Sequence, residues 1–287
     1  MQCGVEFNFC NEFFSQIDCL VSTVFDAVTD DFLADLVAIT DLVAAVQVSG
    51  SSAKSRVASV NSATLLLAAT FEEFIREMGR QYAREIVGRA EHGNQLPRKL
   101  VATAWKRTLE ELARAKIETG GTPESLEVIA RDAKLTFEAV CGFLEGDTSK
   151  DIYDSLIHNE NNMRPNQLNS IFSICDLSNI CMKFSNKAPL IEYFDETEGG
   201  KVHGLLMVKL NDFIEKRNDI AHSLNPGSSS GPEQLLGEIE FFRAVALSLS
   251  ETLPAHLPQL IVQLDEPLEQ TTPEALLQKL RILWPFS

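Results

Sequence analysis

Apolar residues in this chain recur at helical spacing almost from end to end, and strict alternation of apolar and polar residues is nearly absent. From Val5 to Val28, Phe7, Phe9, Cys10, Phe13, Phe14, Ile17, Leu20, Val21 and Val24 fall close to the i, i+3, i+4, i+7 pattern of one helix face. A second apolar stretch runs from Phe32 to Val48, and Gly50-Ser51-Ser52 breaks the pattern. The longest helix candidate follows, from about Ser55 to Ala90, with Gly93-Asn94 closing it. Pro97 suits the first turn of a helix continuing to about Ile117, and Thr122-Pro123-Glu124-Ser125 starts another that reaches about Leu144. Shorter elements are expected from Asp147 to Phe194, then a helix from about Val202 to His222. Asn225 to Pro232 is the clearest loop, and a closing helix spans about Glu233 to Leu253. Only Leu260 to Leu264 reads as a short strand. The fold class that follows is all-α.

No apolar run reaches the roughly 18 residues of a membrane span, and Glu6, Asn8 and Asn11 interrupt any secretory leader, so a cytoplasmic protein with no membrane partner is expected. The six cysteines, Cys3, Cys10, Cys19, Cys141, Cys175 and Cys181, form no C-x-x-C pair and read as reduced, buried thiols rather than zinc ligands. His92, His158, His203 and His256 have no neighbour at a metal-ligand spacing, so neither a metal nor a cofactor is expected. The formal net charge is −16, which repels polyanions at long range and disfavours indiscriminate nucleic-acid binding while leaving room for a local basic groove.

Phosphate-loop, dinucleotide-binding, zinc-protease and α/β-hydrolase signatures are all missing. What remains is Arg217-Asn218-Asp219-Ile220-Ala221-His222, preceded by the apolar series Leu205, Leu206, Val208, Leu210, Phe213 and Ile214 and followed by a polar loop and a long helix. This segment resembles the Arg-x(4)-His motif of the HEPN superfamily, in which a polar residue often follows the arginine, as Asn218 does here. Leu65 to Ile75, with its alanines and the Phe71-Glu72-Glu73 step, resembles the first core helix of the RiboL-PSP-HEPN or MAE-type branch. Asn161 to Leu168 resembles that branch's middle segment. The likeness spans about residues 5 to 255. It implies a HEPN-type helical bundle with additional helices over residues 1–257; the Pro-punctuated C-terminal tail, 258–287, is expected to pack on that domain or on a partner.

The resemblance also implies metal-independent endonucleolytic cleavage of RNA at a site built across a homodimer interface, in a bacterial defence or toxin effector with a cognate antitoxin or other defence partner. The chemistry is self-consistent. RNA carries its own nucleophile in the 2′-OH. A cleft then needs a group that moves protons near neutrality, for which His222 is suited, and a permanent cation for the phosphorane, for which Arg217 is suited. Asn218 would position by hydrogen bonding, and Asp219 is a weaker candidate. Glu72 or Glu73 would orient Arg217 or His222, or else pair along the helix with Arg76. Arg76, Arg80 and Arg84, at i, i+4, i+8, form a stripe that would hold RNA phosphates or pair with Glu73, Glu77 and Glu85. Arg98, Lys99, Lys106, Arg107, Arg114 and Lys116 form the other basic stretch, with Trp105 either stacking on bases or buried.

Five residues along an ideal helix is a rotation of about 500°, which leaves Arg217 and His222 about 140° apart. They therefore do not share a face, and the spacing calls for a loosened C-terminal turn at His222 or for two copies around a two-fold axis. The alternative without chemistry is His222 as a capping cation and Arg217 paired with Glu215 or Asp219. The alternative function is a non-catalytic HEPN module that docks a nucleotidyltransferase or another protein.

Overall fold

Between Val5 and Val48 there is neither a proline nor a glycine, so nothing interrupts a helix once it has begun. The two apolar stretches expected separately are accordingly one helix. The computed structural model describes residues 6–258 apart from 49, 51, 91–94, 115–122, 158–162 and 223–230. In it α1 runs over Glu6–Val48, 43 residues, longer than the 36 residues of α2, Ala53–Gly88. The side chains of the Phe-rich opening, before Val24, lie outside the described residues.

Phe25, Thr29, Phe32, Leu36, Ile39 and Val43 are buried along α1, spaced alternately by four and three. On α2, Val60, Thr64, Leu67, Phe71, Phe74 and Met78 are buried with the same alternation. Matching seams of this period pack helices side by side with interlocking side chains. The ring pairs set the direction: Phe25 meets Tyr82 at 6.5 Å and Phe32 stacks on Phe74 at 4.4 Å between centroids, so the helices run antiparallel. The Ser52 hydroxyl caps α2 by accepting from the Ser55 amide at 3.2 Å.

The remaining helices are α3 (Arg98–Arg114), α4 (Pro123–Leu144), α5 (Tyr153–Leu156), α6 (Pro165–Ser173), α7 (Ile180–Phe184), α8 (Ala188–Phe194), α9 (Gly199–His222) and α10 (Pro232–Thr252). A short 3-10 turn, Pro254–His256, follows. Among the described residues there is no strand, and the strand candidate at 260–264 lies outside them. No described helix is long and apolar enough to cross a membrane. The described helices belong to one compact unit within residues 1–257, and the tail beyond Pro258 lies outside the described residues.

Helix α2 is central: α1, α5, α6, α9 and α10 all pack on it, while α4 packs on α3. Trp105 is partly buried against the core with its ring 6.0 Å from Phe137. Cys175 and Cys181 are buried, and burial pushes both thiols up to about 12, as expected of inert core cysteines. His256 is tied into the turn that follows α10, its Nδ1 3.0 Å from the Thr252 carbonyl. The Tyr82 hydroxyl donates to the His256 carbonyl at 2.8 Å, joining α2 to the same turn.

The chain packs tightly on α2 at Gly79, where an added Cβ would sit 2.6 Å from Ile171 Cγ2 of α6 and 3.3 Å from Ile157 Cγ2. Both neighbours are stiff β-branched side chains. In a solvated helix Gly→Ala would stabilise by about 1 kcal/mol. Here Gly79→Ala is expected to lower the melting temperature instead, because overpacking costs about 1–3 kcal/mol. A thermal melt followed by circular dichroism reads the sign directly. A raised melting temperature would mean that α6 is not held against α2 as described.

Candidate functional site

Three phenyl rings fix how α9 lies on the core. Phe242 of α10 packs on Phe71 of α2 at 4.4 Å and on Phe213 of α9 at 4.6 Å. Glu72 follows Phe71 in sequence, and Arg217 comes one turn after Phe213. The aromatic contact therefore carries a carboxylate and a guanidinium toward each other from two helices.

The buried residues of α9 are Val202, Leu206, Leu210, Phe213, Ile214 and Ile220. At about 100° per residue they define a stripe whose middle, extended one turn, falls on Arg217. Arg217 is therefore an inward-facing arginine, with a side chain only 27% exposed. Its Nη2 lies 3.8 Å from Glu72 Oε1, and its Nη1 donates to Asn218 Oδ1 at 3.1 Å. Glu72 is 13% exposed, and its other oxygen accepts from Arg76 at 3.3 Å. The surface pairing of Arg217 with Glu215 or Asp219, considered from spacing, is not what forms. Glu215 takes Arg164 instead.

His222 is the last helical residue of α9 and is exposed, about 140° around the axis from Arg217. Asn211, Glu215 and Asn218 precede it by eleven, seven and four residues and share its side of the helix. Asp219 is exposed on the flank of that face. Within one chain, then, Glu72, Arg217 and Asn218 are brought together, whereas His222 points away from the Arg217 pocket.

The arginine stripe is spent on carboxylates. Arg76 pairs with Glu72 and Glu73, and Arg80 with Glu73 at 2.8 Å, Glu77 at 3.0 Å and Asp154 at 3.0 Å. Arg84 pairs with Glu77 and lies over the Tyr153 ring at 5.0 Å. The hydrogen bond from Arg80 holds the Glu73 carboxyl below the usual carboxylate range. Glu73 thus faces the stripe, and Glu72 alone of the two acidic candidates reaches Arg217. The α2 arginines tie α2 to itself and to α5 rather than presenting open cations. Among the described residues no three His, Cys, Asp or Glu side chains gather closely enough to share a metal ion.

A model of the RiboL-PSP-HEPN family matches residues 30–254. The chain belongs to the RiboL-PSP-HEPN family. The match contains α2, α9, α10 and every residue of the site just described, and its helical fold agrees with the bundle seen here. Membership in this HEPN family points to a nuclease or other RNA-related function. No similar curated protein and no similar solved structure was found.

Lys216 and Glu238 are not singled out by the sequence, and Arg164 reads there only as part of the family-like segment Asn161 to Leu168; the fold shows what each of them meets. Lys216 Nζ lies 2.6 Å from Glu238 Oε1 of α10, with side chains 16% and 11% exposed. This ion pair sits one turn from the Phe213–Phe242 contact and clamps α9 to α10 beside Arg217. Lys216→Met strands a mostly buried carboxylate and is expected to destabilise by about 3 kcal/mol. Lys216→Met with Glu238→Leu should recover most of that loss. Urea titrations of both proteins test this, and equal destabilisation of the single and double variants would contradict a clamp role.

Proposed function

We propose that this protein is a metal-independent HEPN endoribonuclease whose site is completed across a homodimer. The observation that carries the reading is the Arg217 arrangement. A guanidinium from the Arg-x(4)-His segment is packed in an apolar stripe and met by the inward carboxylate of Glu72, while its motif partner His222 stands exposed at the helix end. A purely structural ion pair needs no histidine at that position, and a single-chain site would need both groups on one face.

In the proposed reaction the RNA 2′-oxygen attacks the adjacent phosphorus and its proton passes to a base. Negative charge builds on the phosphorane, and the bond from phosphorus to the 5′-oxygen breaks as an acid supplies that oxygen with a proton. His222 of the other protomer serves both proton transfers in turn, as base and then as acid. Arg217 stabilises the phosphorane with its planar fork. Glu72 positions that fork, and Asn218 orients it through the hydrogen bond to Nη1. The products are a 2′,3′-cyclic phosphate and a 5′-hydroxyl. A role as a bacterial defence or toxin effector, with an antitoxin or another defence protein as partner, suits such an activity. The second reading, a non-catalytic module docking a nucleotidyltransferase or another protein, draws on the charge of −16 and on the paired α2 arginines, both unfavourable to RNA capture.

Purified protein incubated with total RNA in EDTA should cleave it and leave 2′,3′-cyclic ends. His222→Ala and Arg217→Ala should each slow cleavage by about 10²-fold or more. His222→Ala should leave the melting temperature unchanged because the side chain is exposed. Arg217→Ala should lower it modestly, by about 1–2 kcal/mol of stability, because it removes a partner of the inward Glu72. Arg217→Lys retains the charge without the fork and serves as the folded control. Undiminished cleavage by both alanine variants would sink the reading, and an RNA-silent wild type would favour the docking module.

A further inference from the structure

A further cation reaches the His222 face of α9 from another element. Arg164 stands at the N-cap of α6 with extended backbone, φ −68° and ψ 158°, immediately before Pro165. A residue preceding proline is confined to that region. Its neighbours Met163 and Pro165 are both buried, so the chain beneath Arg164 is anchored in the core while its side chain leaves toward α9. Arg164 Nη1 lies 3.4 Å from Asn211 Oδ1 and 3.5 Å from Glu215 Oε1. Asn211 and Glu215 belong to the helix face that continues through Asn218 to His222.

The cations along this part of α9 are committed to different degrees. Lys216 is held by a mostly buried carboxylate at 2.6 Å, Arg217 faces Glu72, and Lys209 lies over the Tyr193 and Phe241 rings at 5.3 and 5.4 Å. Arg164 differs from all three. Its acidic partner Glu215 is 65% exposed at 3.5 Å, and Arg164 itself is 40% exposed, so both groups of this pair stand in water. An exposed ion pair of this length contributes little to stability. A phosphate competes well for such a guanidinium because it accepts a bidentate pair of short, charge-assisted hydrogen bonds.

We propose that Arg164 is an RNA-contacting residue that binds a phosphate of the substrate strand away from the scissile bond, with Glu215 as the carboxylate that occupies it until RNA arrives. This rests on the ribonuclease reading above and adds a binding position to the same site. Glu215 and His222 are seven residues apart, about 10 Å along the helix axis, a distance that a short stretch of single-stranded RNA spans. The strand would therefore run along the Asn211–Glu215–Asn218–His222 face. In a chain of net charge −16, a cation delivered to that face from α6 offsets part of the repulsion that RNA meets. The carboxylate beside it would disfavour weak, non-productive binding.

The test uses the full-length His222→Ala protein, which keeps RNA intact, and fluorescence anisotropy with a labelled mixed-sequence single-stranded RNA over a range of salt. Adding Arg164→Ala should weaken binding about tenfold and reduce the slope of log K against log salt by about 0.7, the share of one phosphate contact. Adding Glu215→Gln should instead tighten binding several-fold. In the cleaving protein, Arg164→Ala should raise KM and leave kcat within about twofold, the pattern of uniform binding lost. A structural tie gives a different result: both substitutions would weaken binding together and lower the melting temperature, and that would overturn the proposal. Unchanged binding by both variants on a parent that does bind RNA overturns this assignment alone. A parent that binds no RNA overturns it together with the ribonuclease reading.

Discussion

The contact of Phe242 with both Phe71 and Phe213 is the interaction on which the site depends. Each ring belongs to a different helix, and together they set the separation of α2, α9 and α10 at one point. Everything polar nearby follows from that spacing. Glu72 meets Arg217 because it lies beside Phe71, and Lys216 meets Glu238 because each is about one turn from the same rings. Burying aromatic surface offsets the cost of bringing four charges into a partly dry setting. An inward arginine on an otherwise apolar stripe is a poor choice for stability alone, and that supports a chemical role for it.

On the ribonuclease reading, so acidic a protein has to separate two kinds of cation. The α2 arginines belong to a ladder with Glu72, Glu73, Glu77 and Asp154 that braces α2 against itself and α5. Arg217 points inward from α9 toward Glu72, and Arg164 reaches the outer side of α9 from α6 beside Glu215. The charge that matters for an RNA strand is then local and positional, and the total of −16 sets the background against which it must act.

Much of the fold was legible because helical periodicity is a strong signal and Gly, Pro and cap residues punctuate it. The ends of α4, α9 and α10 fall within a few residues of their expected positions. The continuity of α1 was less legible, since a change of apolar density between Val28 and Phe32 looks like a boundary. The helix simply passes through it, with Phe25, Thr29 and Phe32 on one seam. In the site, the rotation of about 140° between Arg217 and His222 could be read from spacing alone, and the helix keeps it. The fate of Arg76, Arg80 and Arg84 could not. Spacing permits both an open stripe and a paired one, and only the rotamers of Glu73 and Glu77 and the arrival of Asp154 from α5 decide. Arg164 lies in the family-like segment Asn161 to Leu168, but its contact with Glu215, 51 residues away in sequence, is not legible from spacing.

On the proposed reading one chain does not assemble the site alone, because α9 turns Arg217 inward and His222 outward. Subunit complementation tests it most directly. Arg217→Ala and His222→Ala proteins, each inactive, are unfolded together, refolded as a mixture and assayed for RNA cleavage in EDTA. A site shared between two chains gains one intact combination, Arg217 from one protomer and His222 from the other, in every mixed dimer. The expected result is therefore a substantial recovery of activity that neither variant shows by itself. A mixture as silent as its components, alongside a refolded wild type that cleaves, would place both groups in one chain's site and contradict the claim.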